Sequence, residues 1–239
     1  MDTTGLGRAV IASFPADPSA DVSKLPDFEI VIAVPINNLK LIADFGFLNL
    51  FQAGSSNGID AFDGRIQIER EASGLLDLGT YPLSLHPKSA YLLFNPLEEY
   101  AAFYNQYGYA LFKLNKKRIL DRTTYSLGDS LDGHRMEPLL RPSQIVEAER
   151  NQTPYSWDPE DIMYLEAQVW GTLTLEDVEA AYFEKSDLRK LPQSQLARLQ
   201  KKYGITTYSY TKRPNRHVKS AFGLSAITRV KEVATPSAK

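Results

Sequence analysis

The chain of 239 residues contains no cysteine, so disulfides and thiolate metal centres are excluded. His86, His134 and His217 are its only imidazoles, and no metal site is expected from so small a supply. No apolar run approaches the roughly 20 residues that span a bilayer, and the N-terminus lacks a basic stretch followed by an apolar one. A soluble, cytoplasmic protein with no membrane partner is the simplest expectation. A toxin domain delivered into a target cell would read the same way. The glycine spacings of P-loops and Rossmann turns are missing from QAGSSNG, 52–58, and the three histidines sit in no context that suggests a serine hydrolase.

What the chain does have is core-forming material, with 43% hydrophobic and 11% aromatic residues. Its formal net charge of −2 hides an asymmetry. Residues 185–239 hold 13 Lys and Arg against two acids, Asp187 and Glu232, whereas residues 1–184 hold 14 bases and 27 acids. An acidic body with a basic tail points to a polyanionic partner, because cations that neutralise phosphates release counterions. Docking of the tail on its own acidic body is the alternative.

Residues 1–25 read as a flexible arm, with a linker composition over 12–24. A core is expected over 26–184 and a basic extension, packed on or beside it, over 185–239. FEIVIAVP, 28–35, reads as a strand ended by proline. Asn38 then starts a short helix with Leu39, Ile42 and Phe45 at helical spacing and Gly46 as its stop. The polar stretch 52–64 is too long for a turn. SAYLLF (89–94), YGYALFKL (107–114) and RTTYS (122–126) read as strands, with short helices at 96–104 and 142–150. TLEDVEAAYF, 174–183, reads as a capped helix, with Asp177 three places after Thr174. A basic helix at 193–203 and a strand at 205–210 follow. The pattern is α+β, with short links that favour mixed or antiparallel pairing.

One stretch raises a chemical question. MYLEAQVWG, 163–171, places Glu166 inside a run that otherwise reads as buried strand, with Gln168 on the same side. An ionised carboxylate there needs either a structural partner or a ligand.

Taken together, NNLKLIADFGF, QAGSSNG, YGYALFKL, RTTYSLGDS and YLEAQVWGTLTLEDVEAAYF resemble the ADP-ribosyltransferase superfamily, in particular its bacterial toxin and phage-defence branches that act on DNA or RNA. The resemblance covers roughly 28–184, and the basic tail has no counterpart in it. It implies a two-sheet core, NAD as substrate without a metal, and a catalytic glutamate on a late strand at Glu166, lining a dinucleotide cleft. In arginine-modifying relatives a Glu or Gln stands two residues before that acid; here the position is Tyr164, so a single-acid, nucleic-acid-modifying branch is the better match.

Further site residues follow from the same resemblance. Thr124 and Ser126 match a strand that braces the glutamate and the nicotinamide ribose, and Gln168 and Tyr109 complete the expected NAD surroundings. The family's Arg or His on the first strand is missing, since Val34, Pro35 and Ile36 stand there; Asn37 or Asn38 would bond the ribose instead, and Arg65 or Arg70 the pyrophosphate. In the tail, Lys201, Lys202, Tyr208, Tyr210, Lys212, Arg213 and Arg216 interleave rings and cations, as in grips on unpaired bases. An edge strand protected by lysines is the bland alternative. The resulting expectation is transfer of ADP-ribose to RNA or DNA by a toxin or anti-phage effector, restrained by an antitoxin or immunity protein. A non-catalytic nucleic-acid-binding module, an NAD glycohydrolase and a protein ADP-ribosyltransferase are the alternatives.

Overall fold

The computed structural model describes residues 2–14, 27–53, 62–93, 103–104, 108, 110–128, 130, 135–138, 165–214 and 224–234. Helix α1 (Thr4–Ser13) precedes strand β1 (Glu29–Val34), a short turn at Ile36–Asn38, and helices α2 (Leu39–Phe45), α3 (Leu50–Ala53) and α4 (Phe62–Ser73). Strands β2 (Lys88–Leu93), β3 (Phe103–Tyr104) and β4 (Ala110–Leu114), helix α5 (Lys116–Ile119) and strands β5 (Thr123–Ser126) and β6 (Glu166–Val169) follow. The described chain closes with β7 (Val178–Glu184), α6 (Lys185–Leu188), α7 (Gln193–Ala197), β8 (Thr206–Pro214) and β9 (Leu224–Glu232).

Among the described residues the strands form one mixed sheet of order β3-β9-β8-β7-β4-β1-β2-β6-β5, rather than the two sheets expected. All pairings are antiparallel except β7 with β8. Residues opposite one another in register share a face, which sorts the sheet into two unlike sides. On one side Ile30, Leu92, Phe112, Phe183 and Val169 meet Leu39 and Ile42 of α2 and Leu196 of α7 in the main core. The other side carries Val31, Tyr91, Leu111, Tyr182 and Tyr210 near its middle. That second side turns polar where β6 and β5 present Glu166, Gln168, Thr124 and Ser126.

Several sequence expectations change. The expected flexible arm is instead a docked helix over its first half: Val10 and Phe14 pack against Trp170, just beyond β6. Two glycines permit the approach. A Cβ on Gly7 would lie 2.6 Å from the Trp170 carbonyl oxygen, and one on Gly171 would lie 2.5 Å from that of Thr3. The TLED segment forms its capping box, with Thr174 N–H donating to Asp177 Oδ2, but the helix ends after the single turn Leu175–Asp177 and the chain continues as β7. Residues 178–183 are apolar apart from Glu179 and are buried on both faces of the sheet between β4 and β8, so tertiary pairing overrides the local start signal. The boundary at 184 marks no break, because β8 adds directly to β7 and β9 to β8. Much of the basic tail is therefore part of the sheet. The expected helix at 142–150 lies outside the described residues, as does most of the one at 96–104.

Two buried cations tie the chain together at the Trp170 end of the sheet. Arg122 is fully buried; its Nη1 donates to the Trp170 carbonyl at 2.8 Å and its Nη2 pairs with Asp177 at 3.2 Å. Lys88 Nζ donates to the carbonyls of Gly171, Ser84 and His86 at 2.6, 2.7 and 3.1 Å. Burial pushes the Lys88 ammonium down to about 7, helped by the charge of Arg122 and opposed by Glu69. The three carbonyl acceptors also favour the charged form.

Breaking a buried pair strands its partner, so Asp177→Asn is expected to cost about 3 kcal/mol in denaturant unfolding. Arg122→Met also gives up the Trp170 carbonyl bond, so the pair is checked by a double-mutant cycle: the double variant should lose clearly less than the sum of the two single losses, and additive losses would refute the pairing. Lys88 has a folded pKa below its unfolded value of about 10.4, so the unfolded chain binds the extra proton and this group's penalty fades as pH rises from about 7 towards 10. Stability of the wild type relative to Lys88→Met should thus rise over that window and stay level below it, as read by melts across pH.

Candidate active site

Strand β6 delivers Glu166 between Tyr91 of β2 and Ser126 of β5, its register partners, and delivers Gln168 between Ser89 and Thr124. Period-2 alternation brings all of these onto one face. Glu166 is 2% exposed and Gln168 fully buried, so the acid is enclosed. Among the described residues no Lys or Arg pairs with it. Its Oε2 accepts hydrogen bonds from the Ser130 backbone N–H at 2.8 Å and from Gln168 Nε2 at 3.0 Å.

Donor and acceptor roles in this cluster follow from one atom that can only donate. Trp170 Nε1 donates to Thr124 Oγ1 at 3.0 Å, which leaves the threonine hydroxyl proton for Gln168 Oε1 at 2.9 Å. The glutamine carbonyl must then face Thr124, and its two amide protons go to Ser126 Oγ at 2.8 Å and to Glu166. Ser126 passes its own proton to the Gly128 carbonyl at 2.8 Å. The carboxylate can only accept, which turns the Gln168 amide towards it, and Trp170, on which α1 packs, occupies one acceptor site of the Thr124 hydroxyl on the far side.

The other expected site residues divide. Thr124 and Gln168 spend their hydrogen bonds inside the protein, so the expectation that they touch NAD directly is corrected: they support the residues around Glu166. Asn37 and Asn38 are exposed beyond the Val34 end of β1. Val31 pairs with Tyr91 and Lys88 with Val169, so that end lies level with the Val169 end of β6 and not with Glu166. Arg65 donates to Glu69 at 2.7 Å, and Glu69 also meets His86 Nδ1 at 2.9 Å, which commits this arginine to a buried structural cluster rather than to an expected pyrophosphate. Arg70 is half-buried on the same helix. Tyr109 lies outside the described residues.

In the tail, Tyr210 is buried in the sheet and so is not available to stack on a base, contrary to expectation. Tyr208 stacks on Tyr182 with ring centroids 4.8 Å apart. Lys201 and Lys202 are exposed, Lys212 and Arg213 belong to β8, and Arg216 lies outside the described residues.

Sequence reading missed that Ser130 N–H closes on the acid, that Tyr91 is its register partner and that Trp170 bonds Thr124 beside it. Ser130 carried a faint signal, since GDS directly follows the Thr/Ser strand and a turn there exposes backbone N–H groups. GSSNG, 54–58, has the G-x-S-x-G spacing of a nucleophile elbow, but it follows α3 rather than a strand and lies outside the described residues. The described residues hold no group of three or more His, Asp or Glu suited to a metal ion, and no helix among them is long and apolar enough to cross a membrane.

No family model matches the chain, and no curated protein matches its sequence. Among solved structures it is similar to Thermosipho africanus DarTG in complex with ADP-ribose, with 15% identity and a TM-score of 0.41. The alignment covers 80% of this chain and 48% of that one, so the chain spans about half the length of that protein.

The network around Glu166 makes a specific demand on position 168. Gln168→Glu replaces a donor by a second carboxylate at the 3.0 Å contact, where two like charges cannot both stay ionised. The variant is expected to lose about 2 kcal/mol or more at pH 8 and clearly less at pH 5, where one of the pair holds a proton. Melts of both proteins at the two pH values check this, and a pH-independent loss would count against the assigned contact.

Proposed function

We propose that the chain is a mono-ADP-ribosyltransferase that uses NAD, with Glu166 as its catalytic carboxylate. The observation that carries this reading is a lone acid inside a sheet, held by Ser130 N–H and the Gln168 amide with no basic partner among the described residues, opposite Ser126 in register. An acid kept only for stability is normally paired with a cation when buried. The motif resemblance, from TTYS through EAQVWGTLTLED, supports the same assignment.

In such a reaction the bond between the nicotinamide nitrogen and the ribose anomeric carbon breaks, and positive charge grows on the sugar as in glycoside cleavage. Glu166 accepts a hydrogen bond from a ribose hydroxyl and steadies that charge. Its two donors hold the carboxylate in place, and exclusion of water strengthens its field. Nicotinamide leaves with the bonding electrons. The acceptor nucleophile closes the bond to the anomeric carbon and gives up its proton.

Nucleic acid is the proposed acceptor, supported by the 13 bases and two acids of residues 185–239. With Tyr210 buried, the grip falls to charge more than to stacking. An enzyme that consumes NAD and marks nucleic acid in its own cell would need an antitoxin or immunity protein, proposed here as its further partner. Glu166→Gln keeps the shape and one oxygen able to accept from Ser130 N–H and Gln168, turns the other accepting edge into a donor and removes the charge, and is expected to lower nicotinamide release by on the order of 10²–10³. Label transfer from NAD to RNA, DNA and protein identifies the acceptor; release without transfer would mark a glycohydrolase, and wild-type behaviour of the variant would leave only the binding module.

A further inference from the structure

Among the described residues, three buried side-chain polar atoms have no hydrogen-bond partner: Arg122 Nε, Gln200 Oε1 and Ser130 Oγ. The first two belong to side chains whose other atoms are well engaged, Arg122 with Trp170 and Asp177, and Gln200 with Thr207 and Val233. Ser130 is different. Its residue is 1% exposed, its backbone N–H is spent on Glu166 Oε2, and its hydroxyl has no partner. An enclosed hydroxyl without a partner is destabilising, and a chain that keeps one needs a reason for it.

We propose that Ser130 is a substrate-contacting residue of the Glu166 site, and that its hydroxyl is completed by a hydroxyl of the ligand's sugar. The inference rests on the ADP-ribosyl-transfer reading of Glu166 and extends it to a residue outside the strands. The chemistry of the pair is specific. Glu166 can only accept a hydrogen bond, whereas a serine hydroxyl both donates and accepts. Because Ser130 N–H is 2.8 Å from Oε2, the two groups lie side by side on one turn and one strand. Together they suit a diol: one hydroxyl donates to the carboxylate, and its neighbour exchanges a hydrogen bond with Ser130. A ribose presents such a pair; a deoxyribose or a planar base does not.

A ligand-facing serine and a structural one respond oppositely to truncation. Removing a hydroxyl that bonds nothing in the free protein should leave stability unchanged or improved, while removing a structural bond lowers it. For Ser130→Ala the free protein is therefore expected to melt at or above the wild-type temperature. Its KM for NAD in nicotinamide release should rise about tenfold, and the upward melting shift induced by ADP-ribose should shrink accordingly. Ser130→Thr, which keeps the hydroxyl, should restore much of the affinity. A folded Ser130→Ala with unchanged KM and unchanged ADP-ribose stabilisation would overturn the proposal and assign the hydroxyl to a trapped water. Loss of several degrees in the free protein would overturn it too. Wild-type protein that is stabilised by ADP-ribose, less so in Ser130→Ala, yet releases no nicotinamide would sink the transferase reading and leave the Ser130 contact standing. Absence of both NAD and ADP-ribose binding by the wild type would end both.

Discussion

Enclosing a carboxylate within a sheet is the constraint around which one end of this molecule is organised. A buried carboxylate is costly without hydrogen-bond donors, and the fold supplies Glu166 with two that carry no charge: a backbone N–H from the turn after β5 and the amide of Gln168. Uncharged donors hold an acid without neutralising it. A lysine or arginine in the same place would have stabilised the carboxylate more and left it less able to answer a positive charge arriving from elsewhere.

The supports radiate outward from that choice. Gln168 can offer its amide edge only because Thr124 takes its carbonyl, and Thr124 is oriented by the Trp170 indole. Trp170 in turn lies under α1, whose close approach depends on Gly7 and Gly171 lacking side chains. Arg122 and Lys88 bind the backbone carbonyls of Trp170 and Gly171, so the end of β6 is held from several directions. A single acid thus depends on an N-terminal helix remote from it in sequence. Directional hydrogen bonds transmit such dependence better than apolar contacts, because each link admits one polarity.

Sequence reading located the strands that matter and the acid at their centre, since alternation and β-propensity are local signals that survive in a half-polar sheet. It failed where the decision was not local. TLEDVEAAYF starts as a helix should and builds its capping box, yet it becomes β7 because two neighbouring strands offer it pairing. Arg65 looked like a free cation after a loop, but its partner four residues on, Glu69, is buried and already shared with His86. Tyr210 looked like a stacking ring in a basic tail, but the tail is sheet and the ring lies within it. Asn37 and Asn38, expected at the ribose from the resemblance, stand exposed beyond the Val34 end of β1, level with the Val169 end of β6.

By itself the sequence determined which residue types alternate along the chain: an acid and a glutamine in β6 with a tryptophan just beyond it, and two hydroxyls at alternate positions of β5. It determined also that disulfides and thiolate metal centres were out of reach. Only the tertiary structure decided that β5 and β6 are neighbours in a register that sets Ser126 against Glu166 and Thr124 against Gln168, and that Ser130 N–H closes on the carboxylate. The reason is that a hydrogen bond acts over about 3 Å, whereas these partners lie some 40 residues apart in the chain. Alternation fixes the side of a strand on which a group stands; pairing and register fix what it meets there.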